Sequence, residues 1–307
     1  MTVATACFAL AVLCMCTAWW LGRARWPRHA PASAIVLWQA VGLTWGIAQI
    51  EGLLALALLP YHRGVLRGVV ALASDIVAGR LNARLEMAHL AALVVGLGLA
   101  AVLVGALAVS CWDVHTARSR HRAVLALVGH GSPRAPGALV LDHPAAAAYC
   151  IPGTRSGRSG AVVVSEGTLR LLDRAELSAV LAHEWAHASA RHDLVLLPFR
   201  ALRRVVPPFD AFREAFAAVE LLVEMCADDR ARTQHSDGPL AGALLRFCGA
   251  ERVGTPAGGL GAADVDVLPR VRRLLEAPSA LPGWQRFTVL ATAAVIVTLP
   301  AVLAWLP

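Results

Sequence analysis

The stretch Ala182-His183-Glu184-Trp185-Ala186-His187 combines residue types and a spacing that can do metal chemistry. On a helix, residues four apart lie one above the other, so His183 and His187 can offer two imidazoles to one metal ion. Glu184 then flanks that ion, placed to take a proton from an activated water and pass it to a leaving amine, the chemistry of a zinc peptidase. The same five-residue pattern also arises by chance on surface helices, so the helix needs separate support. Asp173 with Glu176 reads as a capping box, and Leu177, Val180 and Leu181 supply an apolar face, which predicts a helix unbroken before His192.

A catalytic zinc site has three protein ligands and one open position, so a third ligand is required. Glu224 is the candidate, within Val219 to Arg230, where helical spacing puts Glu220, Glu224 and Asp228 on one face. One of these can ligate while another orients a histidine through its second ring nitrogen. Acidic residues so spaced more often make a solvated face, but this face is set in an apolar helix. His192 is expected at a helix end, rotated off the ligand face and near the negative end of the helix dipole. Arg270 or Arg273 either stabilises an oxyanion or forms structural ion pairs or contacts to lipid phosphates. Val162, Val163, Val164 and Ser165 have strand character between glycines; they either bind an extended peptide by edge pairing or form an ordinary sheet strand. Ala148 to Gly153 reads as a second extended stretch, followed by an Arg-Ser-Gly turn.

These groups need a scaffold, and the composition says which kind. Of 307 residues, 57% are hydrophobic and 16% charged, too apolar for an ordinary soluble domain. The net charge of +7 comes from arginine alone, with no lysine, as in high-G+C coding; no aromatic-rich basic stripe or zinc-finger spacing suggests nucleic-acid binding. The seven cysteines form no C-x-x-C pair, which argues against a disulfide framework or a cysteine zinc site and fits a reducing compartment.

Four apolar runs are long enough to cross a bilayer: about 2–21, 33–60, 87–112 and the last segment, 285–307. The first resembles a signal peptide, but its arginines follow the run, and Trp19, Trp20 and Trp26 suit an interfacial anchor, so it is expected to stay uncleaved. Glu51 lies within the second run, either facing a partner helix or near an interface. In the third, Gly96, Gly98 and Gly105 allow close helix packing. Pro300 in the fourth is tolerable if a neighbouring helix satisfies the freed carbonyl. Residues 61–87 alternate arginines with apolar stretches, as an amphipathic segment on the membrane surface does. Arginines after the first and third spans place both flanks in the cytoplasm, although Arg63, Arg67, Arg80 and Arg84 in the second loop argue the other way.

His183-Glu184-Trp185-Ala186-His187 with Glu224-Met225-Cys226-Ala227-Asp228 resembles the H-E-x-x-H and E-x-x-A-D motif pair of membrane gluzincin peptidases. These include BlaR/MecR-type antirepressor peptidases and the CAAX-prenyl-protease and HtpX-type peptidases. The resemblance implies one zinc per chain on His183, His187 and Glu224, Glu184 as general base and acid, and Asp228 as the partner behind a ligand. Pro269 to Leu274 is similar to the family's late arginine motif. Three spans before the peptidase domain and one after resemble the BlaR/MecR arrangement, while the chain stops at Pro307 without that type's penicillin-binding sensor domain.

The expectation is a mainly α membrane protein, with three transmembrane helices in 1–112, an α+β zincin-like (gluzincin) peptidase domain in 113–284 and a fourth transmembrane helix after it. It would be a multi-pass cell-membrane zinc endopeptidase with a cytoplasmic peptidase domain, cutting a protein or peptide such as a BlaI-like repressor, with no direct nucleic-acid binding. The alternatives are a CAAX-prenyl-protease or HtpX-like quality-control or processing peptidase, and a non-catalytic signal transducer or scaffold.

Overall fold

Residues 2–80, 85–153, 160–205, 210–250, 260–261, 267–276 and 281–306 are described by the structure, a computed structural model. The expected turn at 155–157, and Arg84, lie outside the described residues. The chain divides into two units, one of Met1–Leu107, Leu202–Ala215 and Leu281–Pro307, the other of Ala108–Ala201 and Phe216–Ala280.

The first unit is built on apolar helices: α1 (Thr2–Arg23), α2 (Pro31–Ala57), α3 (Gly64–Val77), the start of α4 (Met87–Val128) and, late in the chain, α11 (Gly283–Trp305). Val3–Arg23, Pro31–Ala57, Met87–Val128 and Gly283–Trp305 are each long and apolar enough to cross a membrane. α2 stops at Ala57, and Leu59–Tyr61 makes a separate 3-10 turn, because Pro60 cannot continue the α-helical ladder. α4 continues past Trp112 to Val128 as one helix, so the third apolar run is only its first part.

α2 packs against both α1 and α11. Pro300 lacks the N–H that would bond Ile296, and Thr44 on α2 donates its hydroxyl to that carbonyl at 3.0 Å. Gly52 and Gly96 serve close approach: a Cβ at Gly52 would lie 2.9 Å from the Phe8 ring, and one at Gly96 3.1 Å from Leu53 Cβ. Gly98 and Gly105 face open space, so two of the three glycines expected to pack do not. At the end of α1, Arg23 lies over the Trp19 ring at 4.3 Å, and Trp20 packs on Trp26.

The second unit contains a four-stranded sheet, β1 (Ala138–Leu141), β2 (Ala148–Ile151), β3 (Ala161–Ser165) and β4 (Leu260–Gly261), in the order β1-β3-β2-β4. β3 pairs in parallel with β1 and antiparallel with β2 along its whole length. Of the two readings of Val162, Val163, Val164 and Ser165, the ordinary sheet strand is the one seen: β3 is paired on both sides, leaving no edge for a substrate, and the three valines are fully buried. Ser165 has a structural task, capping α5 (Glu166–Leu171) by accepting from Thr168 N–H and donating to Ala145 O.

α6 (Arg174–Ala190) begins with the capping box expected of Asp173 and Glu176 and ends where Arg191 turns left-handed, at φ 53° and ψ 44°. α7 (His192–Val205) follows at once, then α8 (Asp210–Arg232), α9 (Asp237–Gly249) and α10 (Val267–Glu276). Leu240, Leu244 and Phe247 of α9 are buried where α9 packs on α6 and α10. All seven cysteines are free thiols.

Gly167, in the first turn of α5, has no room for a side chain: a Cβ there would sit 2.2 Å from Pro144 O and 2.7 Å from Ala145 O. Both obstacles are backbone and cannot swing aside. Gly167→Ala is therefore expected to destabilise the second unit by about 1–3 kcal/mol, read as a lower melting temperature of the purified chain.

Candidate metal centre

Successive turns of α6 bring His183 and His187 together with their Nε2 atoms 3.1 Å apart. α8 delivers Glu224 to the same point, one oxygen 3.4 Å from His183 Nε2 and the other 3.3 Å from His187 Nε2. All three residues are buried, and one donor atom from each lies within 4.8 Å of the others, a group that can hold a metal ion. The spacing fits zinc. With bonds of about 2.0–2.1 Å, tetrahedral ligand atoms are separated by about 3.3–3.4 Å.

The far side of each ring is also occupied. Asp228, one turn beyond Glu224, places Oδ1 3.0 Å from His183 Nδ1, on the side of the ring away from Glu224. His192 does the same for His187, Nδ1 to Nδ1 at 2.9 Å. His192 is thus not the helix-end residue facing a dipole that its spacing suggests. The left-handed Arg191 ends α6, and His192 opens a new helix, buried against His187. Burial and the neighbouring His187 push its ring down to about 4, so it is neutral at physiological pH and able to accept a hydrogen bond from His187 Nδ1–H. Asp193, next in sequence, is held by Arg118 at 2.9 Å and by Arg191 at 3.2 Å. Burial would raise its carboxyl, but the two guanidiniums hold it below its ordinary value.

Arg270 is fully buried and lies between the carboxylates. Its Nε and Nη2 donate to Asp228 at 2.9 and 2.7 Å, and its Nη1 lies 2.9 Å from Glu224 Oε2. Arg273 binds both oxygens of Asp229, at 2.6 and 2.8 Å. Both guanidiniums make ion pairs with carboxylates, and Arg270 Nη2 also comes within 3.5 Å of His183 Nε2.

Burial would raise the pKa of Glu224, yet the neighbouring His187 and Arg270 hold it well below the usual carboxylate range. Asp228, equally buried, is pushed down to about 2, chiefly by Arg270. Burial works against an imidazolium at His183, but Asp228 and Glu224 outweigh it and raise that ring to about 9. The field that draws a proton onto His183 also draws a cation. With neutral imidazoles, the carboxylates of Glu224 and Asp228, both held ionised, outnumber the one guanidinium of Arg270 and leave a negative charge that a bound cation would offset.

Glu184 is fully buried beside His183 on α6. Cys150 on β2 lies behind the cluster, where burial, Glu184 and Glu224 all raise its thiol pKa, so it stays protonated and inert. Glu220 is half-buried on α8 and does not belong to the metal-binding group.

His192 meets His187 at Nδ1, the nitrogen away from Glu224, so where the cluster holds zinc, His192→Ala is expected to weaken its binding about 10–100-fold with the fold retained. Competition against a chelator of known affinity measures this, and Arg204→Ala on the same helix provides the comparison.

Comparison with known proteins bears on the same stretch. No solved structure matches the chain. Residues 115–218, about a third of the chain and including His183, Glu184, His187 and His192, match the sequence model of Peptidase family M48; Glu224, Asp228 and Arg270 lie beyond the matched segment.

Proposed function

We propose that this chain is an integral-membrane, zinc-dependent endopeptidase. The observation that carries the reading is the convergence of His183, His187 and Glu224, with donor atoms within 4.8 Å of one another, beside a buried Glu184. The match to Peptidase family M48 over the segment holding the histidine pair supports it, as do four helices able to cross a bilayer.

In this reading His183, His187 and Glu224 hold one zinc ion, whose Lewis acidity, when bound, brings the pKa of a water towards neutrality. Asp228 and His192 keep the two Nε2 lone pairs aimed at the metal. Arg270 holds Glu224 and Asp228 in place and offsets part of their charge. Glu184 accepts the proton of the attacking water and returns it to the amine that leaves when the peptide bond breaks.

The chain is placed in the cell membrane as a multi-pass protein with its peptidase unit on the cytoplasmic side, following the arginines after the first and third spans. Three spans ahead of the peptidase segment and one after it favour regulatory cleavage of a cytoplasmic repressor-like protein. Proteomics of cells carrying active or inactive enzyme tests the substrate class. One or two regulatory targets are expected, whereas many damaged membrane proteins or lipidated peptides would instead indicate quality control or processing.

Glu184→Gln keeps the ligands and removes the base. Zinc content should remain at one per chain while cleavage falls about 10²–10⁴-fold. A variant that cleaved normally would remove Glu184 from the mechanism, and one that complemented a deletion without cleaving would make the chain a transducer or scaffold.

A further inference from the structure

The second loop carries arginines that the peptidase chemistry does not use and that count against its cytoplasmic placement. Two of them, Arg63 just before α3 and Arg67 within it, belong to a two-part surface within the first unit. A cleft of about 950 Å³ lies between α3 and the end of α11, lined by Tyr61, Arg63, Leu66, Arg67, Asp75 and Trp305 among others. Beside it runs a groove of about 530 Å³ lined by Val69, Val70, Ala73, Ser74, Val77 and Ala78. The two share Val70 and Ser74, so a polar cleft opens directly into an apolar groove.

We propose that this surface binds an anionic phospholipid, with its phosphate between Arg63 and Arg67 and an acyl chain along Val69, Val70, Ala73 and Val77. Arg63 and Arg67 are four residues apart, exposed, and without an ion-pair partner among the described residues. The one carboxylate of the cleft, Asp75, accepts a hydrogen bond from the Tyr61 hydroxyl at 3.1 Å, and the cleft keeps a net positive charge. Guanidinium pairs of this kind take phosphate oxygens by charge-assisted hydrogen bonds. A water-soluble phosphate would satisfy the arginines but leave the valine groove exposed; Val70 and Val77 are 66% and 89% exposed. An amphiphile covers both.

Position favours a bilayer source. α3 follows the end of α2 at Ala57 and precedes the start of α4 at Met87, and the cleft is closed by Trp305 at the end of α11. All three are ends of membrane-length helices, where headgroups lie and tryptophan is enriched. α3 is held there by Val65 and Leu72, which pack with Leu58 and Ala55 in one apolar cluster. Its opposite face is thereby left for a ligand. With Arg63 and Arg67 assigned to a lipid, two of the second loop's four arginines have a role of their own, while Arg80 and Arg84 still count against a cytoplasmic peptidase unit.

The proposal does not depend on the peptidase reading and is tested separately. The full chain, purified in detergent, is incubated with phosphatidylglycerol, phosphatidylcholine or inorganic phosphate, and retained adducts are measured by native mass spectrometry. One phosphatidylglycerol per chain is expected to survive conditions that strip phosphatidylcholine. Arg63→Gln with Arg67→Gln should reduce its retention roughly tenfold. Val70→Asp with Val77→Asp should also reduce it, while Arg80→Gln, outside the cleft, should not. All these positions are exposed, and an unchanged helical melting transition verifies the fold. Equal retention by the double-glutamine variant would overturn the site. Full displacement of lipid by millimolar inorganic phosphate, with the aspartate variant binding normally, would overturn the lipid in favour of free phosphate.

Discussion

The carboxyl groups of Glu184, Glu224 and Asp228 and the Arg270 guanidinium are buried together around two imidazoles whose Nε2 atoms are 3.1 Å apart. Buried charges of one sign are tolerated only when something of the opposite sign meets them at short range. Arg270 answers Asp228 with two hydrogen bonds and reaches Glu224 with its remaining nitrogen, but it carries only one positive charge. The negative charge left over favours a bound cation, and it explains why carboxylates stand both beside the two Nε2 atoms and behind one of the rings.

The rest of the second unit serves this arrangement. The Asp173–Glu176 capping box fixes where α6 begins, and so which of its residues form the ligand face. α9 packs on α6 and on α10, and α10 carries Arg270 to the carboxylates of α8. Behind His187, His192 supports the ring, and Asp193 beside it is tied to Arg118 in the later part of α4. α4 is the helix whose first part is the third apolar run and whose later part carries Arg118.

Much of this site could be read from the chain because it depends on helical spacing. His183, Glu184 and His187 need only one regular helix, and the apolar surroundings of Glu224 and Asp228 distinguish their face from a solvated one. His192 could not be read in the same way. Extrapolating α6 rotates it away from His187, whereas the single left-handed residue Arg191 brings it back. A non-glycine left-handed position carries little local signal; the His-Asp pair right after the metal helix was the only hint. Strand order was hidden for another reason: the Val162–Ser165 run looks alike at an edge or in the middle of a sheet, and only its pairing with Ala138–Leu141 shows it to be central. The Thr44 contact to Ile296 follows from Pro300, but which helix would supply the hydroxyl depends on the bundle packing.

The central claim is that a divalent ion sits between two imidazoles and the Glu224 carboxylate. Zinc K-edge X-ray absorption of the purified full chain tests it most directly. It should show one zinc per chain, a nitrogen and oxygen shell at about 2.0–2.1 Å with the scattering of two imidazoles, and loss of that ion in Glu224→Ala. A sulfur shell at about 2.3 Å, or zinc bound equally well without Glu224, would contradict the account.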